Sequence, residues 1–203
     1  MKKLYLILLI MIIVVIRTVS KDVIVEEYVV KNVVKKYEIS LINLSINEIS
    51  MKDFHEGVKK TSTKEFQKSI LMKSFFNHSG DDLLKMSSEK YEKTVKEYNE
   101  RMEKQFGSIK NNSIKLSKIY FIDDYNACIY TIRESTIHTS DDQQNVQLFV
   151  LRKYQLVREN YRWFINNSLT NTKYFNEGDV NYNELKNLLI HGDNEIKFDH
   201  EIM

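Results

Sequence analysis

The chain has 203 residues, of which 42% are apolar and 29% are charged. This apolar content is enough for a packed core, so a disordered chain is excluded. One cysteine, Cys128, excludes an internal disulfide and a zinc site made of cysteines. The net charge is +2, with no cluster of Lys and Arg of the kind that nucleic-acid binding needs.

Residues 1–20 begin with Lys2 and Lys3 and continue in an unbroken apolar run from Leu4 to Ile16. The run is as long as the hydrophobic region of a signal peptide and shorter than a membrane span of about 20 residues. A buried core helix is the alternative. We predict a signal peptide or a membrane anchor, which places the remaining chain outside the cytoplasm, either secreted or anchored.

Three stretches with helical spacing of apolar residues follow. The first covers 22–46, although its β-branched residues leave a strand as the alternative. The second covers 50–58 and is capped by Ser50. The third begins at the capping box of Ser62–Glu65 and is predicted to end near Asn77.

The clearest helix covers residues 88–106. Its apolar residues recur every three or four positions, and acidic residues precede basic ones by four. Gly107 stands where a residue of left-handed conformation commonly ends a helix. The charged side of this helix is predicted to be a solvated face.

Beyond Gly107 the apolar residues alternate, which predicts strands over 113–122, 125–138 and two further strands within 146–170. A turn through Asp141–Asp142 sets Ile129 opposite Tyr154, Ala127 opposite Leu156 and Ile137 opposite Val146. A two-residue turn at Glu159–Asn160 sets Leu156 opposite Trp163 and Tyr154 opposite Ile165. Three strands therefore share one apolar face.

This apolar face is the predicted core, formed by Ile129, Val150, Tyr154, Leu156, Trp163 and Ile165. The opposite face is mixed, and we predict that it binds a partner through Tyr130, Ile132, Phe149, Leu151 and Phe164. Residues 171–203 are predicted to be a polar C-terminal tail with a short helix from Asn183 to Gly192.

The predicted fold class is α+β: an N-terminal hydrophobic segment, then two to three helices on a curved four-stranded antiparallel sheet. Its last hairpin, LVRENYRWFI at 156–165, resembles that of small exported proteins of the nuclear transport factor two-like superfamily. The resemblance covers about residues 24–170, which we take as the domain. The glycine usual in that turn is replaced here by Asn160–Tyr161. The resemblance implies a ketosteroid-isomerase-like cone with a cleft between helices and sheet, and frequent dimerisation through the sheet.

Catalytic members of that superfamily place a carboxylate and a phenol in the cleft. Tyr130 and Glu134, with Tyr154 opposite, are the residues that could supply such a pair, but exposed sheet residues are the simpler explanation. We predict no catalytic residue, no metal site and no cofactor. The histidines lack metal-ligand spacing, and Asp53–Glu56 and Asp199–Glu201 are better explained as parts of polar turns and of the tail.

Some membrane-anchored members of the superfamily are structural parts of conjugation and secretion machines. We therefore expect a non-enzymatic interaction or scaffolding domain of the cell envelope, bound to the membrane through residues 1–20 and to a protein partner or a second copy. The alternative is a small-ligand binder or acid–base enzyme that uses the cleft between helices and sheet. That alternative predicts an apolar pocket with at least one buried carboxylate.

Overall fold

The computed structural model describes residues 25–138, 145–176, 190–191 and 194–202. Within these residues the fold is α+β, with five helices and a mostly antiparallel sheet of six strands. The predicted segment 1–20 and most of the predicted helix from Asn183 to Gly192 lie outside the described residues. The described part of that helix, Ile190–His191, is a strand instead. None of the described helices is long and apolar enough to cross a membrane.

The helices come first in the chain. They are α1 (25–45), α2 (Met51–Thr61), α3 (Lys64–Met72), α4 (Gly80–Lys85) and α5 (Ser88–Phe106). Ser50, Thr63, Ser79 and Ser87 begin α2 to α5, and each hydroxyl accepts a hydrogen bond from the backbone N–H three residues later. Such caps satisfy N–H groups that the first turn leaves without partners.

Two helix predictions need correction. Helix α3 begins one residue later than its predicted cap, and it ends at Met72 instead of near Asn77. A short hairpin follows it, formed by β1 (Ser74–Phe75) and β2 (His78–Ser79). Helix α4 was not predicted, because Asp81–Asp82 has the composition of a turn. These two aspartates instead occupy the first turn of α4, where negative charge is favoured.

The remaining strands are long. They are β3 (Ser108–Ser117), β4 (Tyr120–Phe121), β5 (Asn126–His138), β6 (Asn145–Glu159), β7 (Arg162–Asn176), β8 (Ile190–His191), β9 (Asn194–Glu195) and β10 (Phe198–Glu201). The main sheet has the order β10-β3-β5-β6-β7, and β4 pairs with β5. Strands β8 and β9 pair with each other.

The prediction of a four-stranded sheet is wrong, for two reasons. The predicted strand 113–122 is divided after Ser117, whose hydroxyl donates to the carbonyl of Lys118 and accepts from the N–H of Tyr130. In addition, β10 pairs with β3 at the edge, with Phe198 opposite Ser117. The sheet thus includes part of the segment that the sequence assigns to a polar tail.

The register between β5 and β6 is confirmed, since Ala127, Ile129 and Ile137 lie opposite Leu156, Tyr154 and Val146. The predicted register between β6 and β7 is wrong by two residues near the turn. The turn is at Asn160–Tyr161, both with positive φ, so Leu156 lies opposite Ile165. A shift of two keeps every side chain on its predicted face near the turn. A bulge after Gln155 then changes the pairing further along.

Helix α1 lies along β6. Glu26 pairs with Arg158 and Glu38 with Arg152. The two acids are about 18 Å apart along a helix, and the two arginines about 20 Å apart along a strand. The first turn of α1 therefore lies beside the β6–β7 turn. The sheet face under α1 is called the inner face here, and the opposite one the outer face.

Candidate functional site

Glu38 is a charged residue in the interior. Its side chain is 0% exposed, although α1 is otherwise buried through apolar residues such as Val30, Val34 and Ile42. These positions recur every four residues, and Glu38 completes the series. An analysis that counts only apolar residues does not identify Glu38 as buried. The spacing of four residues between the buried positions of α1 could have identified it.

The carboxylate of Glu38 is bound by three side chains of the sheet. Its Oε1 accepts from the hydroxyl of Thr131 at 2.5 Å and from that of Tyr154 at 2.8 Å. Its Oε2 accepts from Nη1 of Arg152 at 2.8 Å. Thr131 and Arg152 are opposite each other on β5 and β6, so the register of the sheet assembles the site.

Burial and charge shift the pKa values around Glu38. Burial raises the pKa of Tyr154 well above its usual range, and the charge of Glu38 raises it further. Burial also raises the pKa of Tyr37, whose ring packs edge-on against Tyr154. Burial alone would lower the pKa of Arg152, but the charge and hydrogen bond of Glu38 together with the nearby phenols of Tyr154 and Tyr37 outweigh it, and the pKa is raised. Both phenols are therefore neutral at pH 7 while Arg152 is charged.

Two further cations lie near this ion pair. Burial and repulsion by Arg152 lower the pKa of Arg133 and that of Lys73. The Nε of Arg133 is buried and has no hydrogen-bond partner among the described residues. The inner face thus carries more positive than negative charge around Glu38.

The network around Glu38 is closed to solvent. Both carboxylate oxygens are occupied by protein donors, and only 12% of the Arg152 side chain is exposed. A substrate would have to displace a protein donor to reach the carboxylate. The arrangement is suited to fix α1 on the sheet, because a buried charge without its partner costs about 3–5 kcal/mol.

The six residues of the predicted core, at 129, 150, 154, 156, 163 and 165, are all buried. Five of them belong to the main cluster with residues of α1 to α5, and Val150 is buried outside it. Ile129, Tyr154 and Trp163 therefore face the same interior.

The predicted interaction face is mostly buried, whereas the prediction implies an open surface. Tyr130, Ile132 and Leu151 are 5–7% exposed and lie in a second apolar cluster. Phe175 of β7 and Ile196, just before β10, belong to the same cluster. Chain from the C-terminal segment covers these side chains, so they are not available to a partner. Phe149 and Phe164 remain partly exposed.

The structure places Tyr130 and Glu134, the residues that could have formed an acid–base pair, on the side of the sheet away from the helices. Tyr130 and Glu134 lie on the outer face, opposite Lys153 and Phe149 of β6. Tyr154 lies on the inner face in the main core. The buried carboxylate is Glu38 instead, which the sequence analysis did not identify.

Among the described residues, the other reactive side chains form no further site. Cys128 is buried, and burial raises the pKa of its thiol. In the described part of the chain no three residues of His, Cys, Asp or Glu are placed to hold a metal ion. An open groove of about 840 Å³ lies between the segment 46–53 and α5, bordered by Met51 and Tyr91. Lys96 and Glu100 also line this groove, and Glu38 does not.

No protein-family model matches this chain, and no curated protein matches it. What the fold and the site define is therefore a structural class, an α+β protein in which the first described helix is held on a long-stranded sheet by a buried ion pair.

Proposed function

We propose that this chain is a non-enzymatic interaction or scaffolding domain outside the cytoplasm, tethered to or exported across the membrane by residues 1–20. We assign it to the nuclear transport factor two-like superfamily, with a role in a cell-envelope transfer or secretion assembly. The support for export is the apolar run Leu4–Ile16 behind two lysines. The support for the superfamily is the order of helices followed by long antiparallel strands.

The observation that supports a non-enzymatic role is that the buried carboxylate of Glu38 is fully bound by protein side chains. Glu38 is the most deeply buried carboxylate among the described residues, and its oxygens are already bound by Thr131, Arg152 and Tyr154. A general acid or base must reach a substrate proton at hydrogen-bond distance. A carboxylate that is enclosed in this way serves folding instead.

The support for partner binding is the edge of the sheet. Among the described strands β7 is the last in the order, and the α2–α3 junction meets only its beginning, where the N–H of Thr63 donates to the carbonyl of Ile165. Farther along, Leu169 is 59% exposed. An edge strand is a template for an added strand of another chain. The partly exposed Phe149 and Phe164 lie on the neighbouring outer face.

Cysteine labelling tests the location. Cys128 is buried, so Met72→Cys, at a position that is 84% exposed, supplies the reactive thiol in the full chain. We expect a membrane-impermeant maleimide to label this variant in intact cells. Wild-type chain treated in parallel measures the background. Labelling that requires cell lysis would place the domain in the cytoplasm and contradict the proposal.

Photo-crosslinking in the same cells tests the partner-binding edge. A photoreactive amino acid at Asn171 of β7 is expected to give a discrete adduct, with a protein partner or with a second copy. The same amino acid at Lys93 of α5, whose side chain is 75% exposed, is the matched control. Equal patterns at both positions, or no adduct at Asn171, would contradict binding through β7.

The second candidate function is a small-ligand binder or acid–base enzyme. The observation that favours it is the excess of cations beside Glu38, where the buried Nε of Arg133 has no hydrogen-bond partner in the described part of the chain. Such a site would accept a small anion, such as a carboxylate. A rise in melting temperature of the wild type with small carboxylates, lost in Arg133→Met but kept in Lys110→Met on β3, would support this candidate. No rise with any of them would remove it.

A further inference from the structure

Large apolar side chains are exposed together at the end of the domain that carries the β6–β7 turn. Phe121, Ile122, Tyr125 and Tyr161 are 39%, 65%, 66% and 92% exposed, and they are called the tip patch here. Single exposed apolar residues are ordinary, but a group of them at one end indicates a contact surface.

Contacts between the two turns bring these residues to one surface. The N–H of Arg158 donates to the carbonyl of Tyr125 at 2.8 Å, which joins the β4–β5 turn to the β6–β7 hairpin. The ring of Phe121 lies 6.0 Å from that of Trp163. Tyr125 and Tyr161 border the same small cleft beside Arg158. The tip patch is therefore continuous across two turns.

Tyr161 is an unfavourable residue for its backbone conformation. Its φ is 62°, in the left-handed region, and a tight hairpin turn prefers glycine at such a position. A bulky residue there is an outlier, and such outliers concentrate at functional positions. The chain thus keeps an exposed phenol at the outermost point of the hairpin at a cost in backbone energy.

The tip patch is at the end of the domain from which the N-terminal chain leaves. Glu26, in the first described turn of α1, pairs with Arg158 at 2.5 Å. Tyr28 in the same turn is 70% exposed. At most about 32 Å of extended chain separates Ile16, the end of the apolar run, from residue 25. Tyr174, toward the other end of β7, lies roughly 40 Å from Tyr161 along the strand.

We propose that the tip patch rests on the lipid bilayer, with Tyr161, Tyr125 and Ile122 in the headgroup region of the membrane that holds residues 1–20. This inference depends on the membrane tether in the proposed function. Tyrosine suits that layer, because its ring is apolar and its hydroxyl can stay hydrated. Acids outnumber bases nearby, with Asp123, Asp124 and Glu159 of the two turns against Arg158 and Arg162, so the contact does not depend on anionic lipid.

The test uses the full chain reconstituted into phosphatidylcholine vesicles. Single cysteines replace Tyr161 or Tyr125, and each is labelled with an environment-sensitive fluorophore. Tyr174→Cys is the matched control, because it replaces an exposed tyrosine on the same hairpin at the far end. We expect the labels at 161 and 125 to shift to the blue and to lose most of their fluorescence to a lipid that carries a doxyl quencher. The label at 174 should do neither.

Each outcome decides the proposal. Equal quenching with and without added phosphatidylglycerol supports a contact made by aromatic and apolar groups. A blue shift at 161 without lipid quenching would indicate a protein occupant and overturn the proposal. Vesicles that retain the chain while all labels stay in water would overturn the tip contact and leave the tether intact. Failure of the vesicles to retain the chain would contradict both.

Discussion

The two faces of the sheet are buried by different means. On the inner face, α1 covers Ile129, Thr131 and Tyr154 completely, and a charged group is part of the core. On the outer face, Tyr130 and Ile132 retain 5–6% exposure under a thin cover from the C-terminal chain. Neighbouring residues of β5 therefore differ in how completely they are buried. The difference indicates that stability depends mainly on the inner face, and the following predictions test that view.

The largest effect is expected from Glu38→Ala. This substitution removes the partner of Arg152 and leaves two hydroxyl donors without their acceptor. We expect the free energy of unfolding to fall by about 3–5 kcal/mol, the usual cost of breaking a buried ion pair from one side. Urea denaturation of the full chain in mild detergent, followed by circular dichroism, measures it.

The control for this variant is Glu97→Ala on α5. Glu97 is 65% exposed and lies 3.9 Å from Lys93, so its loss should cost less than about 0.5 kcal/mol. Equal losses in the two variants would mean that Glu38 is not the buried partner of Arg152.

The next largest effect compares two isoleucines of β5 that point in opposite directions. Ile129→Ala on the inner face should cost near the upper end of the range of about 2–5 kcal/mol for such truncations. Ile132→Ala on the outer face should cost near the lower end, because its thinner cover can collapse onto the cavity. The same urea titration gives both values. A greater loss for Ile132→Ala would reverse the ranking of the two faces.

A smaller effect is expected from alkaline pH. Tyr154 has a raised pKa in the folded protein, so above about pH 10 the unfolded chain releases a proton that the folded chain keeps. Stability that is present below pH 10 is therefore lost as the pH rises. Tyr154→Phe should reduce this decline by up to about 1.4 kcal/mol per pH unit. Identical slopes for variant and wild type between pH 9 and pH 11 would contradict it.

The smallest expected effect is an increase in stability. Tyr161→Gly should raise the free energy of unfolding by about 0.5–1 kcal/mol, because glycine adopts positive φ without steric cost. Asn160→Gly should gain less, since asparagine already tolerates that region. The midpoint of thermal unfolding separates the two. A loss of stability in Tyr161→Gly would mean that the phenol makes a stabilising contact at the turn.

The strands could be predicted where alternation and turn length agreed. The pairing of Ile129 with Tyr154 followed from two long alternating segments, each with one apolar face. The β6–β7 register was misplaced because Asn160–Tyr161 lacks the glycine that would mark the turn. Near the turn each side chain still lies on its predicted face of the sheet, since a shift of two residues preserves the alternation.

The candidate site could not be predicted by the same means. Glu38 occupies a buried position of α1, but the sequence analysis considered only the apolar residues of that helix. The residues that bind Glu38 are about a hundred positions away in sequence. The cover of the outer face was also missed. Ile196 and Phe198 alternate with Lys197, but in an otherwise polar segment this alternation is too short to predict a strand.

A double-mutant cycle between Glu38 and Arg152 tests most directly whether the buried pair holds α1 on the sheet. Urea titrations of Glu38→Ala, Arg152→Ala and the double variant give the coupling free energy. We predict that the double variant loses about 2–3 kcal/mol less than the sum of the single losses, because each single variant leaves an unpaired buried charge. Additive losses, within about 0.5 kcal/mol, would contradict the pairing and the placement of α1 that depends on it.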